Sequence, residues 1–283
     1  MALIAPFYLD CVVALGFKGA DGTPVYQATG FLYGKSVGTN PAGATLYRVY
    51  LATNRHVFEG EAAAFVRFNP AADGPARVYD LPLKTADGAT LWIAHPQETV
   101  DVAVVPVNTS ILREHNIQFG FFEEDKHTLS RTQARDAGVT EGDGVFVLGF
   151  PLGLVGGERN YVIVRSGVIA RIRDALVGAT TDFLIDAPIF PGNSGGPVVT
   201  KPEMTTIQGT KNLTSAYLIG IVSGYVPYRD VAISEQTKRP RVVFEENSGL
   251  AAVVPIDRVA EAAAAAESKL APQPAAAPSE PAQ

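Results

Sequence analysis

Short apolar runs separated by turn-forming residues recur along most of this chain, whereas apolar positions at helical spacing are scarce. Runs rich in Val, Ile, Tyr and Phe are typical of β-strands. In the first half they predict strands at Phe7–Phe17, Gln27–Tyr33, Thr45–Thr53, Ala64–Phe68, Leu91–Ala94 and Val102–Val107. In the second half they predict strands at Val145–Phe150, Tyr161–Ile172, Phe183–Ile185, Pro197–Thr200, Leu218–Gly224 and Ala251–Pro255. The pattern therefore predicts an all-β protein.

The two series of strands are separated by a polar stretch from Leu112 to Gly144. Two such series favour two antiparallel β-units joined by a linker. We therefore expect an N-terminal unit at residues 1–125 and a C-terminal unit at residues 126–255. Two polar insertions, Lys201–Ser215 and Arg229–Ser248, interrupt the second unit and are predicted to be long loops.

The pattern changes after the last predicted strand. The segment Ile256–Leu270 has Asp257 near its start and a run of alanines, which favours a helix. Residues 271–283 are rich in Pro and Ala and lack large apolar side chains, so we expect a disordered tail. Residues 256–283 thus form a third segment outside both β-units.

Composition narrows the classes of function. A hydrophobic content of 47% with 18% charged residues is typical of a folded globular chain. The net charge of −6 and the lack of a Lys/Arg run give no reason to expect a nucleic acid partner. No apolar segment approaches the roughly 20 residues that cross a bilayer, and the opening lacks the basic start of a signal peptide. The single cysteine, Cys11, cannot form an intrachain disulfide and lies in an apolar run, so we expect a core residue and a cytoplasmic protein.

The most informative stretch for chemistry is FPGNSGGPVV, from Phe190 to Val199, where Ser194 is surrounded by turn-forming residues. Glycines on both sides permit tight backbone conformations and leave amide N–H groups free to point into open space. A nucleophilic serine needs an exposed hydroxyl beside such amides, which can stabilise an oxyanion. The alternative is a glycine-rich hairpin with an incidental serine.

Two upstream residues have the chemistry that complements this serine. His56 follows the predicted strand Thr45–Thr53, and Asp101 precedes the predicted strand Val102–Val107. Taken alone, the first could be a structural histidine and the second a solvated strand end. Together with Ser194 they form a base and an orienting carboxylate, which a serine nucleophile requires near pH 7.

Five stretches, TNRHV at His56, DVAVV at Asp101, VFVLGFPLGL, SGVIARI and DAPIFPGNSGGP, resemble trypsin-like serine peptidases. Within that family the chain resembles the disulfide-free bacterial HtrA/DegP branch over about residues 8–258. The resemblance implies two perpendicular six-stranded antiparallel β-barrels with the active site in the cleft between them. It also implies a protein or peptide substrate and no cofactor.

Position by position, the resemblance makes Ser194 the nucleophile, His56 the general base and Asp101 its orienting partner. It assigns the oxyanion hole to the segment Gly192, Asn193 and Ser194, with the N–H groups of Gly192 and Ser194 as donors. The implied reaction is attack on a peptide carbonyl, formation of an acyl-enzyme, and hydrolysis.

The specificity pocket departs from that of the Lys- and Arg-specific members. The family places the floor of this pocket six residues before the serine, which here is Pro188. We therefore expect a small or medium aliphatic P1 residue. The resemblance makes Ser223, Gly224 and Tyr225 the pocket wall that pairs with substrate backbone.

Two further departures concern regulation. The residue before the nucleophile is Asn193 rather than the aspartate that pairs with a new N-terminus after zymogen cleavage, so we expect no activation of that kind. Only about 25 residues follow the last predicted strand, so we expect no C-terminal PDZ domain in this chain.

The remaining histidines, His95, His115 and His127, lack metal-ligand spacing, so we expect no metal site. Two alternatives to an active enzyme stay open. One is a latent protease that a regulatory protein partner switches on, for which the two insertions and the tail are candidate docking surfaces. The other is a peptide-binding module on a protease fold.

Overall fold

The computed structural model describes residues 3–203, 211 and 213–270. Its N-terminal unit is a curled sheet in the strand order β5-β4-β1-β2-β3-β7-β6, with β8 beside β2. All neighbours along this path pair antiparallel, whereas β8 runs parallel to β2. The strands are β1 (Val12–Lys18), β2 (Pro24–Thr39), β3 (Thr45–Thr53), β4 (Ala63–Phe68), β5 (Arg77–Pro82), β6 (Ile93–Ala94), β7 (Ala103–Pro106) and β8 (Phe122–Glu123).

The C-terminal unit is a closed barrel in the strand order β10-β11-β14-β13-β12-β9. Its strands are β9 (Gly144–Gly149), β10 (Ile163–Arg171), β11 (Phe183–Asp186), β12 (Pro197–Thr200), β13 (Leu218–Ile233) and β14 (Pro240–Pro255). The predicted fold class, all-β with two barrel-like units, is confirmed. The N-terminal unit differs in detail, because it is a curled eight-stranded sheet rather than a six-stranded one.

Short helices connect the strands, and one longer helix follows the barrel. They are α1 (Pro6–Asp10), α2 (Arg55–Phe58), α3 (Thr109–Glu114), α4 (Arg131–Ala137), α5 (Arg173–Leu176) and α6 (Ile256–Leu270), with a 3-10 turn at Pro151–Gly153. The predicted C-terminal helix is confirmed with its bounds. In the part of the chain that the structure describes, no helix combines the length and the apolar character that crossing a membrane requires.

The first predicted strand is wrong over its first residues, which form helix α1. Pro6 stands at the start of this helix, where its missing N–H costs no hydrogen bond. The Tyr8 hydroxyl donates to the Ala216 carbonyl, so α1 is held on the C-terminal barrel. Cys11 is fully buried, as predicted, and burial raises the pKa of its thiol.

The predicted loop Arg229–Ser248 is also wrong, because most of it is a two-stranded extension of β13 and β14. The ladder continues to the pair Ile233 and Pro240, with Val231 opposite Val243. The β-branched residues Val231, Ile233 and Val243 favour strands, but their side chains remain exposed. The extension contributes nothing to the core. Its sequence therefore lacks the pattern of apolar positions that marks a buried strand and could have revealed it.

Three apolar clusters hold the fold together. One lies inside the N-terminal sheet and one inside the C-terminal barrel. The third contains residues of both units and the apolar face of α6, formed by Val259, Ala262, Ala263 and Ala266. Helix α6 therefore packs at the junction between the units, because its small side chains allow close approach.

Part of the predicted loop Lys201–Ser215, namely residues 204–210 and 212, and the predicted tail at 271–283 lie outside the described residues. Strand β8 still pairs with the N-terminal sheet, whereas Thr128 forms a bridge with Leu218 of the barrel. The chain therefore passes from one unit to the other between residues 123 and 128.

Candidate active site

Ser194 lies in a tight turn between β11 and β12. Gly192 and Gly195 have φ values of 97° and 83°, a region that residues with a β-carbon rarely adopt. A β-carbon on Gly195 would also lie 2.0 Å from the Thr29 carbonyl oxygen. The turn therefore needs glycine for its backbone shape and for its close approach to the N-terminal sheet.

The register of β3 and β7 brings His56 and Asp101 together. Thr53, the last residue of β3, pairs with Ala103, the first residue of β7. In an antiparallel pair, the residues just after one strand and just before the other lie at the same end of the sheet. His56 Nδ1 is accordingly 2.7 Å from Asp101 Oδ2, and the His56 backbone N–H donates to Asp101 Oδ1 at 3.0 Å.

Three hydrogen bonds converge on the Asp101 carboxylate. In addition to the two bonds with His56, it accepts a bond from the Ser223 hydroxyl at 2.8 Å. Burial raises the pKa of Asp101, but the bonds from His56 and Ser223 outweigh burial and hold that pKa below its ordinary value. Asp101 is therefore ionised at neutral pH.

Ser223 links the two units across the cleft. Its hydroxyl bonds to Asp101 of the N-terminal unit, and its carbonyl oxygen lies 3.5 Å from Ser194 Oγ. Through Ser223, the structure connects the candidate catalytic residues His56, Asp101 and Ser194. Among the described residues, no hydrogen bond joins Ser194 Oγ to His56. Such bonds are often long before substrate binds.

Gly224 and Tyr225 follow Ser223 along β13. A β-carbon on Gly224 would meet no atom within 4 Å, so the strand is open at this point. The Tyr225 hydroxyl donates to Glu245 on the neighbouring strand β14. The extended backbone at Gly224, close to Ser194, therefore has open space beside it.

Pro188, the position predicted for the pocket floor, is exposed in the structure. The next residue, Ile189, is buried, and its carbonyl oxygen accepts a bond from the Asn247 side chain. Pro188 is therefore not enclosed at the base of a deep pocket, and the apolar side chain buried beside it belongs to Ile189.

The predicted oxyanion segment has two N–H groups available. The Asn193 N–H donates to the Phe190 carbonyl at 3.0 Å, so Asn193 cannot serve as a donor to substrate. The Asn193 side chain accepts a bond from the Phe190 N–H, which closes the same turn. Within the described residues, no hydrogen bond occupies the N–H groups of Gly192 and Ser194.

Sequence reasoning missed two residues that bond to the turn from Pro191 to Ser194. The Leu152 N–H donates to the Pro191 carbonyl at 2.6 Å, and the Thr29 hydroxyl donates to the Gly192 carbonyl at 2.7 Å. Leu152 acts through its backbone, so no side-chain signal could have revealed it. Thr29 is a polar residue inside the apolar run ATGFLY, which is only a weak signal.

The other histidines lie elsewhere, and each has a structural partner. His95 Nε2 is 2.6 Å from Glu261 of α6, His115 contacts the Tyr79 hydroxyl, and His127 accepts the Glu123 N–H. Across residues 3–203, 211 and 213–270, no group of three or more metal-ligating side chains could hold a metal ion.

Comparison with known proteins relates the chain to one family. Residues 28–203, more than half of the chain, match the family described as trypsin-like peptidase domain. No curated protein shows significant similarity to the chain. The chain is similar to a solved structure described as Rv3671c protease, inactive form, with 18% identity, a TM-score of 0.45, and coverage of 93% of this chain and 91% of that one. On the family match, this chain belongs to the trypsin-like peptidases and is a serine endopeptidase.

Proposed function

We propose that this endopeptidase works through Ser194 as nucleophile, His56 as general base and Asp101 as orienting carboxylate. The observation that carries the proposal is the pair of bonds from His56 to an ionised Asp101. Two unoccupied N–H groups lie beside Ser194 in the same cleft. A carboxylate on Nδ1 keeps the proton there, so Nε2 is free to accept the serine proton.

The reaction follows from these positions. Ser194 Oγ attacks the peptide carbonyl carbon while its proton passes to His56 Nε2. The N–H groups of Gly192 and Ser194 stabilise the oxyanion that forms. The C–N bond then breaks as His56 gives its proton to the leaving amine, which leaves an acyl-enzyme. Water attacks the ester with His56 again as base, and the proton returns to Ser194 as the acid product leaves.

We further propose that cleavage follows small or medium aliphatic residues such as Val, Ala or Leu. Pro188 offers no carboxylate to a basic side chain, and the exposed position of Pro188 beside buried Ile189 favours a shallow apolar pocket. A peptide library digested by the protein is expected to show these residues at P1. Cleavage mainly after Arg or Lys would contradict the proposal.

Activation without N-terminal insertion is part of the same proposal. The Asn193 side chain already has a partner in its own turn, the Phe190 N–H at 3.1 Å. The oxyanion turn is therefore closed by groups of the loop itself. We expect the protein to cleave peptides at the same rate whether or not its N-terminus has been trimmed.

The test is labelling with a fluorophosphonate followed by intact-mass measurement. The wild-type protein is expected to gain one adduct, since Ser194 displaces fluoride from phosphorus, and Ser194→Ala is expected to gain none. Ser110→Ala, which removes an exposed serine hydroxyl on α3, should label like the wild type. An adduct that persists in Ser194→Ala would assign the nucleophile elsewhere.

The same experiment separates the two alternatives. A latent protease stays an alternative because Ser194 Oγ lies 3.5 Å from the Ser223 carbonyl oxygen and, among the described residues, has no hydrogen bond to His56. A latent protease would label only after a partner is added. A peptide-binding module would bind peptides but would not label under any condition.

A further inference from the structure

Thr29 of β2 is fully buried between the two units and has hydrogen bonds to both sides of the oxyanion segment. Its N–H donates to the Ser194 carbonyl at 2.9 Å, and its hydroxyl donates to the Gly192 carbonyl at 2.7 Å. The same hydroxyl accepts the Phe150 N–H at 3.0 Å. Its carbonyl accepts the Thr53 hydroxyl at 2.8 Å.

The direction of the hydroxyl bond is determined by its neighbours. The Phe150 N–H can only donate, and the Gly192 carbonyl can only accept. The Thr29 hydroxyl must therefore direct its proton to Gly192. Valine has nearly the same shape but can make neither bond, whereas serine can make both.

Both peptide planes that flank Gly192 are fixed at their carbonyl ends. The Pro191 carbonyl accepts the Leu152 N–H, and the Gly192 carbonyl accepts the Thr29 hydroxyl. In a trans peptide the N–H points opposite to the C=O of the same plane. The Gly192 N–H lies in the plane of the Pro191 C=O and therefore points away from the loop that contains Leu152. Thr29 holds the next plane, that of the Gly192 C=O and the Asn193 N–H, so Gly192 cannot change its own φ and ψ without breaking one of these two bonds.

The neighbouring glycines show how closely the backbone surrounds Thr29. A β-carbon on Gly149 would lie 2.7 Å from the Thr29 hydroxyl oxygen, and one on Gly195 would lie 2.0 Å from the Thr29 carbonyl oxygen. These distances are too short for any side chain. The end of β9 and the turn at Ser194 thus both approach Thr29 closely from the C-terminal barrel.

We propose that Thr29 is a positioning residue that holds the oxyanion hole in its productive shape through the Gly192 carbonyl. The inference rests on the proposed roles of Ser194 and Gly192. A donor that is preorganised toward the developing charge costs no reorganisation during the reaction. The effect of losing Thr29 should therefore appear in the transition state and not in substrate binding.

The test compares Thr29→Val with Thr29→Ser, using a peptide substrate that the wild-type protein cleaves. Loss of a complete oxyanion donor typically costs 10²–10³ in kcat, so a misaligned donor is expected to cost about 10- to 100-fold in Thr29→Val. KM should change by less than about twofold, and fluorophosphonate labelling should slow by a factor similar to that for kcat, because the developing P–O charge uses the same donors. Thr29→Ser should restore kcat to within about threefold of wild type, because it keeps both bonds.

Thr200→Val is the matched control, because Thr200 is also buried and its hydroxyl accepts one backbone N–H, that of Tyr217. It should lose stability without losing kcat. If Thr29→Val does not fold, Thr29→Cys replaces it. Because its S–H group is a weak donor, its kcat should lie between that of Thr29→Ser and the value expected for Thr29→Val, which is about 10- to 100-fold below wild type.

The inference is overturned if Thr29→Val keeps wild-type kcat, if Thr29→Ser is impaired as much as Thr29→Val, or if Thr29→Cys equals Thr29→Ser. A parallel loss of kcat and of affinity for an uncleaved peptide would also overturn it, since that indicates general disruption. Failure of the proposed function looks different, because Ser194→Ala would then behave like the wild-type protein.

Discussion

Replacing His56 with alanine is expected to lower kcat for peptide hydrolysis by about 10⁶, close to the effect of removing the nucleophile itself. Without the imidazole, the Ser194 hydroxyl has no group to take its proton at neutral pH, and the leaving amine has no acid. The residual rate should come from the oxyanion donors and from substrate binding. KM should remain near the wild-type value, because His56 contributes to the transition state.

The measurement is kcat and KM on the peptide identified from the library, with protein free of contaminating proteases. His115→Ala is the matched control. It removes an exposed histidine whose partner is the Tyr79 hydroxyl, and its kcat should stay within about twofold of wild type. A His56→Ala protein that keeps more than a hundredth of the wild-type kcat would falsify the role of His56 as general base.

The second large effect is expected for Asp101→Asn, at about 10⁴ in kcat. The asparagine has nearly the same shape, but its NH₂ group would donate toward His56 Nδ1 where the carboxylate now accepts. The ring would then carry its proton on Nε2, which could no longer accept the proton of Ser194. The carboxylate that stabilises the imidazolium would be lost as well.

Asp80→Asn serves as the control for this variant, because Asp80 is an exposed carboxylate on β5 of the same sheet. Both variants should melt within a few degrees of the wild-type protein, and only Asp101→Asn should lose kcat. A kcat for Asp101→Asn within tenfold of wild type would show that the tautomer of His56 does not depend on Asp101.

Much of the fold could be read from apolar runs. Strand β3, strand β12 and helix α6 begin and end where the pattern predicts, because each has a clear buried face. Strand β5 escaped prediction because its residues alternate between exposed and half-buried, and the extension of β13 and β14 did so because it contributes nothing to the core. Helix α1 was predicted as strand because a short apolar run has the same composition in either state.

The candidate catalytic residues could be identified from the sequence by their type and order, but their contacts could not. The sequence predicted His56, Asp101 and Ser194, since a serine nucleophile needs a base and a carboxylate. It described Ser223 only as part of a pocket wall, whereas the structure directs its hydroxyl to Asp101. The donors implied by the family resemblance, the N–H groups of Gly192 and Ser194, have no hydrogen bond among the described residues, whereas the Asn193 N–H between them is bonded to Phe190.

By itself, then, the sequence determined the class of fold, the family and the residue types of the site, because hydrophobic period and motif spacing are local properties of the chain. Only the tertiary structure decided which groups meet across the cleft. Thr29 lies 163 residues from Gly192 in the chain, and its hydroxyl reaches the Gly192 carbonyl because the N-terminal sheet packs against the C-terminal barrel. Local patterns contain no information on hydrogen bonds over such separations, so the support of the oxyanion hole became visible only in three dimensions.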